Sequence, residues 1–344
     1  MKFRRSFLRK LCLYFLFFFS IKIKAEENFR NSLVNQLNDF NNTNVVFDPI
    51  FLKYHLHNGH PEDPRRIKFI NEAFKSAGLE FLFKPVNKKI NPNKWIFEIH
   101  SVEHFNSIKT NMPLAFEVAI NAVRAVIDSV DEVMTRKKSN IFCAVRPPGH
   151  HALNTGTEEG FCYFSNVAIA AKYAQIKYGI RKILIVDWDY HHGNSTEHFF
   201  YNDPSVLFFS THDQFAYPQT GDPQKIGSGA GKGYNINIHL PCGTSDNQII
   251  DVFKKKLIPI ADKFKPELVF ISAGFDSREN DPLGCFEITD SGFQELTKII
   301  MDIAYKYSSD RLISVLEGGY NLKGNANAAL AHTKVLLSYK GNKA

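Results

Sequence analysis

The stretch Lys182-Ile183-Leu184-Ile185-Val186-Asp187-Trp188-Asp189-Tyr190-His191-His192-Gly193 decides how the chain reads. A short, β-branched apolar run turns abruptly to charge and stops at glycine, the pattern of a parallel strand buried on both faces. Side chains alternate along a strand, so Asp187, Asp189 and His191 leave it on one side together. Two carboxylates and an imidazole cost much to bury without a counter-charge. A divalent cation resolves that cost; a polar strand exit with one salt bridge is the plainer reading of the stretch alone.

Working outward, similar apolar runs recur at Val45-Val46-Phe47, Ile141 to Val145, Val206 to Phe209, Tyr234 to Ile238, Leu268 to Ile271 and Leu312 to Leu316. Helical patterns separate them at 67–77, 112–134, 166–178, near 247–263 and at 290–307. In the second of these Leu114, Val118, Ala122, Val126, Val130 and Val133 form one apolar stripe for the core. Strands alternating with helices predict an α/β domain, a parallel sheet with helices on both faces. At 344 residues, 44% hydrophobic and 22% charged, the chain is long enough for one large domain of this kind.

In such sheets the site lies beyond the carboxyl ends of the strands. The residues following each run are Arg146-Pro147-Pro148-Gly149-His150-His151, Asp187 to His192, Ser210-Thr211-His212-Asp213, Gly274-Phe275-Asp276-Ser277 and Glu317-Gly318-Gly319-Tyr320-Asn321. The polar chemistry collects at one edge. Asp189, His191 and Asp276 together offer three ligands and leave a position open, the pattern of a catalytic metal site. Zn2+ is the default ion for this set and Fe2+ its competitor. His150 and His151 supply two imidazoles for acid and base work. Asp187 and Asn194 are their natural partners, and an anion raises one histidine's pKa more than a neutral amide raises the other's. Tyr320, after two glycines, offers a phenol to a developing oxyanion.

Two stretches invite other readings. Residues 55–66 carry three histidines, two acids and two prolines, and read as a loop at the rim of a substrate site. Gly227-Ser228-Gly229-Ala230-Gly231-Lys232-Gly233 is glycine-rich like a phosphate loop, but it is a residue short, lacks the Ser/Thr after lysine and precedes a strand; it reads as a tight turn.

Residues 1–25 differ from the rest. A basic start is followed by an 11-residue apolar run, Leu11 to Ile21, and Ile23-Lys24-Ala25 before Glu26. This is the pattern of a secretory signal peptide, too short for a membrane span, and predicts an exported protein with no membrane attachment after cleavage; retention in the cytoplasm or as a membrane anchor is the alternative. The segment holds seven basic residues and no acid, which accounts for the whole formal charge of +7. The remainder, 26–344, is neutral and carries no electrostatic footprint for nucleic acid. Its cysteines, Cys143, Cys162, Cys242 and Cys285, form no C-x-x-C pair and read as small buried hydrophobes. Export would permit a disulfide whose pairing the sequence leaves open.

Taken in order, Arg146 to Ala152, Gly160-Phe161-Cys162-Tyr163-Phe164, Asp187 to Asn194, Tyr217-Pro218, Gly274 to Ser277 and Glu317 to Asn321 resemble the histone deacetylase family, over roughly residues 45–335 and closest to its class II branch and bacterial and acetylpolyamine-deacetylating relatives. The resemblance implies an arginase/deacetylase-type fold and a zinc-dependent deacetylase domain over 26–344. It implies metal ligands Asp189, His191 and Asp276, and takes Asp187 out of that set as the orienter of a histidine. It implies the acid/base pair His150 and His151, oriented by Asp187 and Asn194, and Tyr320 as the oxyanion donor. Gly160, Phe161 and Tyr217 would line a tunnel for an acylated amine. A potassium ion would lie near Asp187, Asp189, His191, Ser210 and Thr211. Ser195 stands where the family has glycine and predicts strain if φ there is positive. Leu283 occupies the position where polyamine-specific relatives carry glutamate, which favours acyl-lysine-like substrates. The alternatives are an acetylpolyamine or other small-amide deacetylase, a two-metal ureohydrolase on the same fold, and a silent binder of acylated amines.

Overall fold

The computed structural model describes residues 42–54 and 56–339. The leader 1–25 lies outside them. No helix among the described residues is long and apolar enough to cross a membrane.

The described strands are β1 (Thr43–Val46), β2 (Phe83–Lys84), β3 (Asn140–Cys143), β4 (Ile183–Asp187), β5 (Val206–His212), β6 (Asn235–His239), β7 (Leu268–Ala273) and β8 (Leu312–Leu316). They form one eight-stranded sheet in the order β2-β1-β3-β8-β7-β4-β5-β6, parallel throughout. Every residue of β3, β4, β5, β7 and β8 is buried, as the unbroken apolar runs require. Among the helices, α1 (Arg65–Ser76), α2 (Val102–Asn111), α3 (Pro113–Met134) and α4 (Asn166–Tyr178) precede β4. α5 (Asn194–Phe200) follows it, then α6 (Asp246–Val252), α7 (Ile258–Phe264), α8 (Asp290–Tyr307) and α9 (Leu322–Ser338). α3 packs on α4, β3 and β8, while α9 packs on both α1 and α8, so helices flank the sheet as the sequence predicts.

β3 and β4 are consecutive in sequence, but β7 and β8 lie between them in the sheet. The switch in strand order opens a crevice at the carboxyl ends of these central strands. The polar segments of the sequence converge there.

Several local expectations are corrected. β5 runs on to His212, so Ser210 and Thr211 sit inside the strand, with Ser210 in register with Asp187. In α3 the stripe from Val118 to Val133 is buried, but Leu114, in the first turn, is 63% exposed. Ser195 lies in the first turn of α5 and is fully buried, its Oγ 3.1 Å from Ser165 Oγ. Its backbone is helical, and serine brings no strain. Cys143 and Cys162 are buried as expected, whereas Cys242 and Cys285 are joined in a disulfide, their Cα atoms 5.1 Å apart. The glycine-rich stretch forms a short 3-10 turn, Gly229–Gly231, ahead of β6. The amides of Gly231, Lys232 and Gly233 are taken by carbonyls of the same segment and cannot cradle phosphate.

Candidate active site

β4 ends at Asp187, and the backbone that follows folds Asp189 and His191 over the strand ends. Asp189 Oδ1 accepts from the His191 amide at 2.8 Å, and Asp276 Oδ1 from the Tyr190 amide at 2.8 Å. Asp189 Oδ2 accepts from the Gly318 amide at 2.8 Å. The other face of this triad is shared: His191 Nδ1 lies 3.2 Å from Asp189 Oδ1 and 3.1 Å from Asp276 Oδ2. One ligand atom from each of Asp189, His191 and Asp276 falls within 4.8 Å of the others. Both carboxylates are fully buried. Burial and the neighbouring Asp189 push the Asp276 carboxyl up, the mark of a site rich in negative charge.

Two glycines make room for the triad. A Cβ on Gly274 would stand 1.9 Å from Asp189 Oδ2, and one on Gly318 2.1 Å from Asp276 Oδ2. Any side chain there would push the carboxylates out of their convergent geometry.

The loop after β3 brings in the two histidines, both 3% exposed. Their rings lie 4.0 Å apart. His150 Nδ1 is 3.1 Å from Asp187 Oδ2 and His151 Nδ1 is 2.7 Å from Asn194 Oδ1. A carboxylate and an amide oxygen only accept, so each Nδ1 carries hydrogen and each Nε2 turns to the crevice. The two partners split the pair. Burial alone would lower both pKa values; the carboxylates of Asp189 and Asp187 outweigh it at His150 and raise it well above the ordinary value. At His151, burial and the adjacent His150 outweigh the Asp189 carboxylate and the Asn194 amide, and its pKa falls well below the ordinary value. The carboxylates thus favour the charged form of His150, while burial and its neighbour favour the neutral form of His151.

Tyr320 follows Gly319, whose φ of 119° no other residue type adopts readily. Its ring packs edge-on to Phe161, centroids 5.7 Å apart, and the Arg66 guanidinium stands 4.9 Å over it. Burial raises the phenol's pKa and Arg66 opposes that rise.

The expected tunnel residues divide. Tyr217 packs edge-on to His151 at 4.9 Å, and a Cβ on Gly160 would strike both His151, at 2.3 Å, and Tyr217, at 2.8 Å. Gly160, Phe161 and Tyr217 therefore surround the crevice between His151 and Tyr320. Leu283 lies on the loop after β7 and is 37% exposed, its amide donating to Asp281 Oδ1 at 3.0 Å. Ser210 and Thr211 are buried beneath Asp187, Thr211 Oγ1 without a hydrogen-bond partner and Ser210 Oγ 2.9 Å from His212 Nδ1.

His55 lies outside the described residues; the rest of the expected rim loop is only partly a rim, and its last two residues, Arg65 and Arg66, already belong to α1. His60 packs on Phe161 at 4.6 Å. Glu62, by contrast, turns inward to 1% exposure, 2.5 Å from Arg146 Nη2 and 3.2 Å from Arg66 Nη1. These guanidiniums outweigh its burial and hold the carboxyl below the usual range. Arg66 also donates to the carbonyls of Gly319, at 2.6 Å, and Glu317. One buried ion cluster thereby ties the rim to the turn that carries Tyr320. The sequence reading also passed over Glu317. Fully buried, its Oε2 accepts from the amides of Gly149 at 2.6 Å and His150 at 3.2 Å, fixing the histidine loop. A carboxylate at a strand end was the available signal.

Comparison with known proteins agrees with this geometry. A family model described as a histone deacetylase domain matches residues 60–336. A probable deacetylase of Archaeoglobus fulgidus is 35% identical over 300 residues, covering 82% of each chain. Histone deacetylase 15 of Arabidopsis thaliana is 36% identical over 297 residues, covering 81% of this chain and 53% of that protein. The chain thus spans about half the length of the plant relative. A crystal structure of the HDA15 HD domain superposes with a TM-score of 0.79 at 34% identity, over 86% of this chain and 91% of that one. A parallel sheet whose strand ends gather three aspartates, three histidines and a tyrosine, matched in sequence across most of its length, places the chain in the histone deacetylase family.

Proposed function

We propose that the protein is a metal-dependent amidohydrolase that removes acetyl or another acyl group from lysine-like amines. The observation that carries this reading is the convergence of Asp189, His191 and Asp276 beside a histidine pair whose Nδ1 atoms face a carboxylate in one case and an amide oxygen in the other. The donor set fits a divalent cation: two buried carboxylates in excess of local positive charge, one imidazole, and glycines that keep the space clear. Zn2+ is the expected ion, Fe2+ the alternative; once bound it would lower the pKa of a coordinated water and polarise the amide carbonyl.

The chain's own residues do the rest. His151 Nε2 takes a proton from the attacking water and returns it to the leaving nitrogen. His150, held by Asp187 and favoured in its charged form by the Asp189 and Asp187 carboxylates, offsets the negative charge that develops beside it. The Tyr320 phenol donates to the oxyanion, and the Arg66 cation over its ring makes it a better donor. Gly160, Phe161 and Tyr217 hold the aliphatic stem of the acylated amine. Leu283 offers a cationic polyamine no partner, so acyl-lysine substrates are favoured over acetylpolyamines. A potassium ion near Asp187, Asp189, His191, Ser210 and Thr211 would be structural. With the leader of residues 1–25 acting in export, the substrates are acylated peptides or small amides outside the cell's nucleic-acid compartments.

A fluorogenic screen of acyl-lysine peptides and acetylpolyamines, with and without chelator, tests the reading. Tyr320→Phe and His151→Ala each lower kcat by roughly 10²–10³-fold in a folded protein. Near-normal turnover in both variants refutes the assignment.

A further inference from the structure

The loop after β7 carries a second carboxylate beyond Asp276. Asp281 is 7% exposed, and backbone amides take up its oxygens. Oδ2 accepts from Tyr320 N at 2.7 Å and from Asn321 N at 2.9 Å, and Oδ1 accepts from Leu283 N at 3.0 Å. The same two segments are joined once more, Asn321 Nδ2 donating to Asn280 O at 2.8 Å.

The placement matters because of what precedes the phenol. Gly318 and Gly319 have no side chains to fix the turn from within, and Gly319 takes a φ of 119°. The Arg66 guanidinium holds the carbonyl of Gly319 on one side. On the other side the peptide entering Tyr320 and the one leaving it converge on a single carboxylate oxygen. Hydrogen bonds to a charged group are among the stronger ones, and two adjacent amides on one acceptor define the backbone direction at the residue between them.

We propose that Asp281 is the positioning residue for Tyr320. It touches no reacting atom; it fixes the backbone from which the phenol reaches the carbonyl, and it ties that backbone to the Leu283 amide. The proposal rests on the oxyanion role of Tyr320. Misplacing a catalytic group by about 1 Å costs on the order of 10²-fold in rate.

The test is a double-mutant cycle in the full chain, with kcat, KM, melting temperature and bound metal measured for Asp281→Ala, Tyr320→Phe and the double variant. Asp281→Ala is expected to lower kcat by ~10–100-fold with KM and metal content held. In the Tyr320→Phe background the same change lowers kcat by no more than ~2-fold, because the group being positioned is already gone. Asp281→Asn, whose amide oxygen still accepts from Tyr320 N and Asn321 N, recovers most of kcat. An equal fractional loss in both backgrounds marks a merely structural role and overturns the proposal, as does an unaffected Asp281→Ala. If Tyr320→Phe alone leaves turnover intact, the phenol's role fails first and takes this proposal with it.

Discussion

Asn194→Asp separates the two histidines most cleanly. His151 Nδ1 now faces a neutral oxygen at 2.7 Å, while His150 Nδ1 faces a carboxylate at 3.1 Å, and their pKa values move in opposite directions. The molecule contains its own control for what an anionic partner does. Placing a carboxylate at Asn194 favours the His151 imidazolium and raises its pKa by about 1–3 units, or roughly 1.4–4 kcal/mol. If neutral His151 is the base, kcat/KM falls as pH drops through its pKa. Raising that pKa must therefore move the acid limb of the profile upward by the same 1–3 units, leaving the rate above it intact. The assay is kcat/KM against pH, between about pH 5 and 9, on an acetyl-lysine peptide. An acid limb that stays in place, or moves down, refutes His151 as the base and returns that role to His150.

Two further outcomes follow from the same geometry. Burial pushes the Glu197 carboxyl up, but the His192 imidazole 3.4 Å away and hydrogen bonds from Asn237 and Asn235 outweigh it and hold it at about 2. Its folded pKa lies below the unfolded value, so its stabilisation is complete above roughly pH 4.5 and lost as pH falls toward 2, a difference of about 3 kcal/mol. Acid unfolding followed by circular dichroism should be less steep in Glu197→Gln over that window; identical curves contradict the assignment. At the exposed position Leu283, glutamate would give a cationic substrate a partner. Leu283→Glu should raise kcat/KM for acetylpolyamines relative to acetyl-lysine peptides by up to ~5-fold, the range of an exposed ion pair, and an unchanged ratio removes Leu283 from specificity.

What was legible in the sequence is what strand ends make local. The turn from apolar to charged residues at 182–191 marked Asp187, Asp189 and His191, although β4 ends at Asp187 and a bend, not strand alternation, brings the latter two together. The rule that sites lie at carboxyl edges added Asp276, the histidine pair and Tyr320. The structure brings all of them into one crevice. What escaped was long-range and aperiodic. Glu62 meets Arg146 across 84 positions, and a buried ion cluster leaves no periodic trace in a loop of prolines and histidines. Asp281 reaches Tyr320 across 39 positions for the same reason. α9 was missed although Asn321 caps it, accepting from Gly324 N at 2.9 Å, because its many alanines give a weak apolar stripe. Leu114 misled in the opposite way: its spacing is right, but the first turn of α3 overhangs the core. The cysteine pairing had no sequence signal, since Cys242 and Cys285 are brought together only by the loops after β6 and β7.

The central claim is that Asp189, His191 and Asp276 hold one catalytic cation. The direct measurement strips the protein with chelator and titrates Zn2+ back while turnover and bound metal are followed together. The account predicts that activity disappears on stripping and returns in proportion to zinc, saturating near one ion per chain, and that Asp276→Asn retains the fold but binds the ion far more weakly. Full activity in the stripped protein, or activity that appears only with two manganese ions per chain, would contradict it.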